Sequence, residues 1–156
     1  LGPSVGAAPQ LVPGRLGTAL QVDAVNTVEV PDGPVTDLRN DVTVEAWINP
    51  TRFSSSWMPI VAKDQPGTTQ RAYTLWLNSD GSIYGDTRDA SGLQGAWSLA
   101  GAIATDTWSH VAMVVDRSGA TPRIRLFVNG VETALRSGGS VRHSPAIESG
   151  NDDRRL

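Results

Sequence analysis

The sequence predicts an all-β fold, a two-sheet antiparallel β-sandwich, on three observations. Residues 42–49 alternate strictly: Val42, Val44, Ala46 and Ile48 share one face, and Thr43, Glu45, Trp47 and Asn49 the other. Asp80-Gly81 and Asn129-Gly130 each separate two apolar runs, as hairpin turns do. No stretch sustains a 3.6-residue period, and turn signals recur roughly every 8–12 residues.

The elements follow in order. Residues 1–17 hold three Pro and four Gly with no usable period, which reads as a linker or an extended N-terminal arm. Segment 19–30 alternates in pieces and stops at Pro31. Residues 35–40 fit one short helical turn with Thr36 as its cap. Strand 42–49 ends at Pro50, and 59–63 is a short strand. Segment 72–88 reads as a hairpin, 95–103 as a weaker strand. Segment 108–116 is apolar on both faces after its start, as in a strand covered on both sides. Segment 123–135 is a second hairpin about Asn129-Gly130, and 140–147 a candidate edge strand.

Composition narrows the function. The chain has 156 residues, enough for one domain with a real core. It has no Cys, which excludes a disulfide scaffold, a thiolate zinc site and Cys nucleophile chemistry. A net charge of −3 argues against nucleic acid as a partner. No apolar run approaches the roughly 20 residues of a membrane span. The chain begins with Leu and without a basic-then-apolar leader, so it reads as a piece of something longer.

A family resemblance rests on pieces spread over residues 14–151. They are Gly14, Gly17 and Ala19-Leu20-Gln21-Val22-Asp23, then Val28-Glu29-Val30-Pro31, Val42 through Pro50, and Ile60-Val61-Ala62-Lys63. Tyr73-Thr74-Leu75-Trp76-Leu77 with Asp80-Gly81, Trp108-Ser109-His110-Val111-Ala112 and Leu126-Phe127-Val128-Asn129-Gly130 complete them. In this order and spacing the chain resembles the laminin-G-like, concanavalin-A-like jelly-roll domains of secreted and cell-surface proteins. The resemblance implies such a domain over residues 18–156, with ligand sites on the concave face or rim loops. It also implies a secreted or cell-surface location. Members continue past residues 150–152 into a last strand beside the first, whereas this chain stops at Leu156. The expectation is a truncated sandwich whose first strand is an open edge, able to pair with another chain or a neighbouring segment.

Catalysis is not expected. A glycosidase needs two carboxylates about 5–9 Å apart across a cleft. Glu29 and Glu45 stand alone on their segments, and Asp86 and Asp89 would point to opposite faces of one strand. Of the two His, His110 sits in a recurring position of the family's framework, and a structural role is expected for it.

Calcium is a candidate ion only, since it takes 6–8 oxygen ligands and most loop Asp and Asn here read as turn formers. Related pentraxins carry an Asp-Asn pair just before the strand matching Tyr73, but Gln70-Arg71 stands there, so that site does not carry over. By resemblance to jelly rolls with an ion near the first and last strands, Asp23 is the one candidate metal ligand.

Aromatic residues carry the ligand argument, because sugars lay C–H patches on Trp and Tyr faces while polar groups hold their hydroxyls. If Ser79-Asp80-Gly81 is a three-residue turn, Leu77 faces Ile83 inward and Trp76 faces Tyr84 outward. Thr74, Asp86 and Arg88 then share the outward face, and the set reads either as a sugar platform or as a cover for the sheet. Trp57, in a loop of small residues, is either an exposed ligand contact or a plug for one end of the sandwich; Trp97 is equally open. Trp47 and Trp108 are expected to be packed framework, and Arg123 and Arg125 a solvated face. The resulting expectation is a non-catalytic, carbohydrate-binding module that takes a glycan or cell-surface polysaccharide. Trp76, Tyr84, Asp86, Arg88 and Trp57 are its ligand contacts. The alternatives are a structural or adhesive spacer without a small ligand, and an accessory domain of a glycoside hydrolase or lyase.

Overall fold

A computed structural model describes residues 2–4, 9–23, 26–38, 40–54, 57–64, 71–89, 92–118 and 123–137. The strands are β1 (Gly2–Ser4), β2 (Gln10–Pro13), β3 (Thr18–Gln21), β4 (Thr27–Glu29), β5 (Val42–Ile48), β6 (Met58–Asp64), β7 (Arg71–Leu77), β8 (Ile83–Asp89), β9 (Gly92–Trp97), β10 (Ser109–Asp116), β11 (Arg123–Val128) and β12 (Val131–Glu132). All pairings are antiparallel. One four-stranded sheet runs β12-β11-β10-β5 and the other β6-β7-β8-β9.

The core is the apolar phase of both sheets. Val42 and Val44 of β5, Val111, Met113 and Val115 of β10, and Ile124 and Leu126 of β11 meet Tyr73, Leu75 and Leu77 of β7, Ile83 of β8 and Ala96 of β9. Gly85 of β8 lies where the facing sheet leaves no room for a side chain: a Cβ there would meet Met113 Sδ at 2.5 Å and Leu126 Cδ2 at 3.1 Å. This is the layered sandwich that the alternation predicts.

The two Gly turns set the register. Asn78 N–H donates to the Ser82 carbonyl at 2.9 Å, Gly81 takes the left-handed conformation (φ 71°), and Leu77 stands opposite Ile83. Asn129 (φ 52°) and Gly130 (φ 80°) form the turn between β11 and β12, where two positive φ values are what a two-residue turn requires.

Four segments depart from the sequence reading. Part of the N-terminal arm is paired: β2 and β3 form a hairpin across Gly14–Gly17, and β1 pairs with β4. Segment 19–30 splits into β3 and β4, with Asp23 and Asn26 hydrogen-bonded to each other between them. Segment 95–103 becomes β9, which starts earlier, and then a turned loop whose Gly101 and Ile103 N–H groups donate to the Asp80 and Gly81 carbonyls at 2.8 Å each. Residues 34–36 form only a turn. The candidate edge strand 140–147 and the region of the expected last strand lie outside the described residues.

Lys63, the chain's one Lys, is buried at 4% exposure and ties the loop after β4 to β6. Its ammonium pairs with Asp32 at 2.8 Å and with Asp37. Burial pulls this ammonium down, but its bonds to Asp32 and Asp37 more than offset that and hold it above its ordinary 10.5. The Tyr73 hydroxyl fastens the same loop by donating to the Thr36 carbonyl at 3.0 Å.

Candidate functional site

The outward face of β6-β7-β8-β9 carries four aromatic rings in mutual contact. Trp76 and Tyr84 are register partners, and Trp97 pairs with Tyr84 from the other side. Trp57 precedes β6, whose Met58 packs against the core, so alternation sends the indole outward. Its ring centroid lies 6.1 Å from Trp76, 5.2 Å from Tyr84 and 4.9 Å from Trp97, and Tyr84 lies 5.1 Å from Trp97. The interplanar angles run from 50° to 83°, the tilted and edge-on contacts that ring quadrupoles favour.

Two relays fix the lower indoles. Trp97 Nε1 donates to Ser82 Oγ at 2.7 Å, and Ser82 Oγ donates to Asp80 Oδ1 at 2.6 Å. Trp76 Nε1 donates to Thr74 Oγ1 at 2.6 Å, and the Thr74 hydroxyl donates to Asp86. Each relay is an indole, a fully buried hydroxyl and a carboxylate. The indole N–H groups are thus committed inward, and these rings offer a ligand their carbon faces.

Arg136, beyond β12, closes one flank. Its guanidinium carbon lies 4.8 Å from the Trp97 ring centroid. Its Nε donates to the Ser98 carbonyl at 3.0 Å, and its terminal nitrogen pairs with Asp80. The Ser82 hydroxyl hydrogen bond, then the Ser82 N–H and Arg136, hold the Asp80 carboxyl down at about 2 against the opposing pull of burial.

The expected contacts are placed unequally. Trp57 is 45% exposed and stands across the others, so it is the ring most open to a ligand; Trp76 and Tyr84 are half-buried beside it. The open Trp76–Tyr84 platform is therefore corrected: Trp57 stands edge-on over it. Asp86 is a second correction, for it is fully buried and bonded to Thr74, so it supports the face instead of being exposed on it. Arg88 keeps the outward phase but lies four residues along β8 from Tyr84, about 13 Å at strand rise. Trp97 joins the cluster, which the sequence left open. Arg136, Asp80 and Ser82 had no sequence signal as members of a site, because their convergence depends on the crossing of segment 134–136 against the end of β9.

Gly95 explains how Tyr84 lies flat. It is opposite Asp86 on β9, and any Cβ there would overlap the Tyr84 phenol ring.

Asp23, the candidate metal ligand, is engaged with Asn26. Its Oδ1 accepts the Asn26 N–H at 2.9 Å and its Oδ2 accepts Asn26 Nδ2 at 3.1 Å, the pattern of a turn former. No group of three or more His, Asp or Glu that could hold a metal occurs among the described residues. No helix among them is long and apolar enough to cross a membrane.

The other outward face, on β12-β11-β10-β5, corrects the reading of Trp47 as packed framework. Trp47 is 41% exposed there, tilted at 58° against His110 with centroids 5.3 Å apart. Trp108 is half-buried.

A family model described as the concanavalin A-like lectin/glucanases superfamily matches residues 23–154. No curated protein and no solved structure matches the chain.

Proposed function

We infer the function from one premise: the chain belongs to the concanavalin A-like lectin/glucanases superfamily, as a laminin-G-like jelly-roll domain. It acts as a non-catalytic carbohydrate-binding module of a secreted or cell-surface protein, with a glycan or cell-surface polysaccharide as partner. The observation that carries this is Trp57, an indole 45% exposed that is buttressed by three further rings. A rigid exposed indole presents the apolar surface on which a pyranose ring lays its C–H groups, and its orientation costs no further ordering on binding. Flanking polar groups are at hand in Arg136 and Asp80.

A binding role is favoured over hydrolysis by the state of the carboxylates on this face. Asp86 is fully buried within the face, and Asp80 is held ionised by Ser82 and Arg136. A glycosidase acid must instead hold a proton near neutral pH and face a second carboxylate across the cleft.

A glycan array probed with the wild-type chain and with Trp57→Ala tests the reading. Binding to a restricted set of glycans that is weakened in the variant, with no reducing ends released from the bound set, is the expected result. Binding to every glycan unchanged in a folded variant, or no binding to any glycan, contradicts it.

A further inference from the structure

We propose a second carbohydrate-binding surface on the opposite face of the sandwich, centred on Trp47. The two four-stranded sheets bury their facing sides against each other. Trp47 has the opposite phase from Val42 and Val44 on β5, and it therefore points away from the Trp57 cluster.

The surroundings of Trp47 are polar and convergent. His110 is its register partner on β10. His110 Nε2 lies 3.6 Å from Glu45 Oε2, and the Glu45 side chain is 63% exposed. The His110 backbone is clamped to Asn129, donating its N–H to Asn129 Oδ1 at 2.9 Å and accepting the Asn129 N–H at 2.8 Å, so the position of the imidazole is set by the turn. An open indole face beside a solvated carboxylate and an imidazole is the chemistry a neutral pyranose takes: C–H groups on the ring, hydroxyls to Glu45 and His110.

Arg15 is the competitor built into this surface. It sits at the tip of the β2–β3 hairpin, with its guanidinium carbon 5.4 Å from the Trp47 ring centroid. A sugar on that face displaces the guanidinium, and an exposed cation–π contact is worth roughly a two- to fivefold factor in affinity. With surfaces on opposite faces, one copy of the domain holds two polysaccharide strands, or two distant stretches of one. Its apparent affinity for a polymer then exceeds that for a short oligosaccharide.

The second surface shares its ligand class with the Trp57 reading but stands on separate residues. Indole N–H resonances of the 15N-labelled chain, titrated with cellohexaose, xylohexaose, mannohexaose and laminarihexaose, test both. The expected result is a saturable shift of the Trp47 Nε1–H with at least one of these, retained in Trp57→Ala, and tightened about two- to fivefold in Arg15→Ala. A Trp47 resonance unmoved by all four, a Trp47 shift that vanishes in Trp57→Ala, or unchanged or weaker affinity in Arg15→Ala overturns the proposal. A Trp57 response without a Trp47 response leaves the Trp57 site standing and removes the second one. The reverse pattern removes the Trp57 site and keeps this one.

Discussion

Trp97 donates its indole N–H to Ser82 Oγ at 2.7 Å, and this bond anchors one side of the aromatic face. Ser82 is fully buried, so no water replaces its hydroxyl when it is removed. Ser82→Ala leaves the Trp97 N–H without its acceptor and takes a donor from Asp80. The expected loss of stability in urea unfolding is about 1–3 kcal/mol. A loss well under about 0.5 kcal/mol would show that the relay is not under tension from burial.

Gly95 and Gly85 separate the face from the core. The atoms nearest a Cβ at Gly95 all belong to the Tyr84 phenol, which must shift to admit it. Gly95→Ala is expected to cost about 1 kcal/mol, the scale of aromatic contacts, while changing the near-UV circular dichroism and weakening glycan binding. A Cβ at Gly85 meets Met113 and Leu126 inside the sandwich. Gly85→Ala is expected to cost about 1–3 kcal/mol by overpacking, and to leave the aromatic signal intact in the folded fraction. Equal effects of the two substitutions on binding and stability would contradict this division.

Asp80 makes the face sensitive to acid. Its carboxyl is held at about 2, below its ordinary 3.8, so its ionised form is favoured by the folded state. That contribution is fully present above pH 3.8 and is lost as the pH falls from there toward 2. Because the side chain is 42% exposed, solvent and salt weaken it. Thermal unfolding followed from pH 5 to pH 2 should show a smaller acid loss in Asp80→Asn than in the wild type. Parallel curves would assign the acid sensitivity to other carboxylates.

The sheets and the register of the central hairpin were legible because their signals are local. Alternation in 42–49 placed Val42 and Val44 inward, and Gly81 supplied the positive φ that sets Trp76 opposite Tyr84. The same alternation already put Trp47 on the face away from the core, and only the family's framework role made it look packed. The covering of the Trp76–Tyr84 pair was not legible, since it depends on where the chain before β6 lays Trp57. Asp86 had the outward phase yet is buried, because phase gives the side of a sheet and not what lies over it. Arg136 meets Asp80 across 56 positions of sequence, a distance over which no local pattern speaks. The β2–β3 hairpin was hidden by its own turn chemistry: Gly14 and Gly17, which close it, are also what made the arm read as shapeless.

Isothermal titration of one array-positive oligosaccharide into wild type and Trp57→Ala, with thermal unfolding recorded for both, separates a binding anchor from a ring that only packs. Affinity is expected to fall about tenfold or more in Trp57→Ala while the unfolding midpoint stays close to wild type, as for an exposed aromatic anchor. Undiminished affinity in a variant that unfolds like the wild type would contradict it.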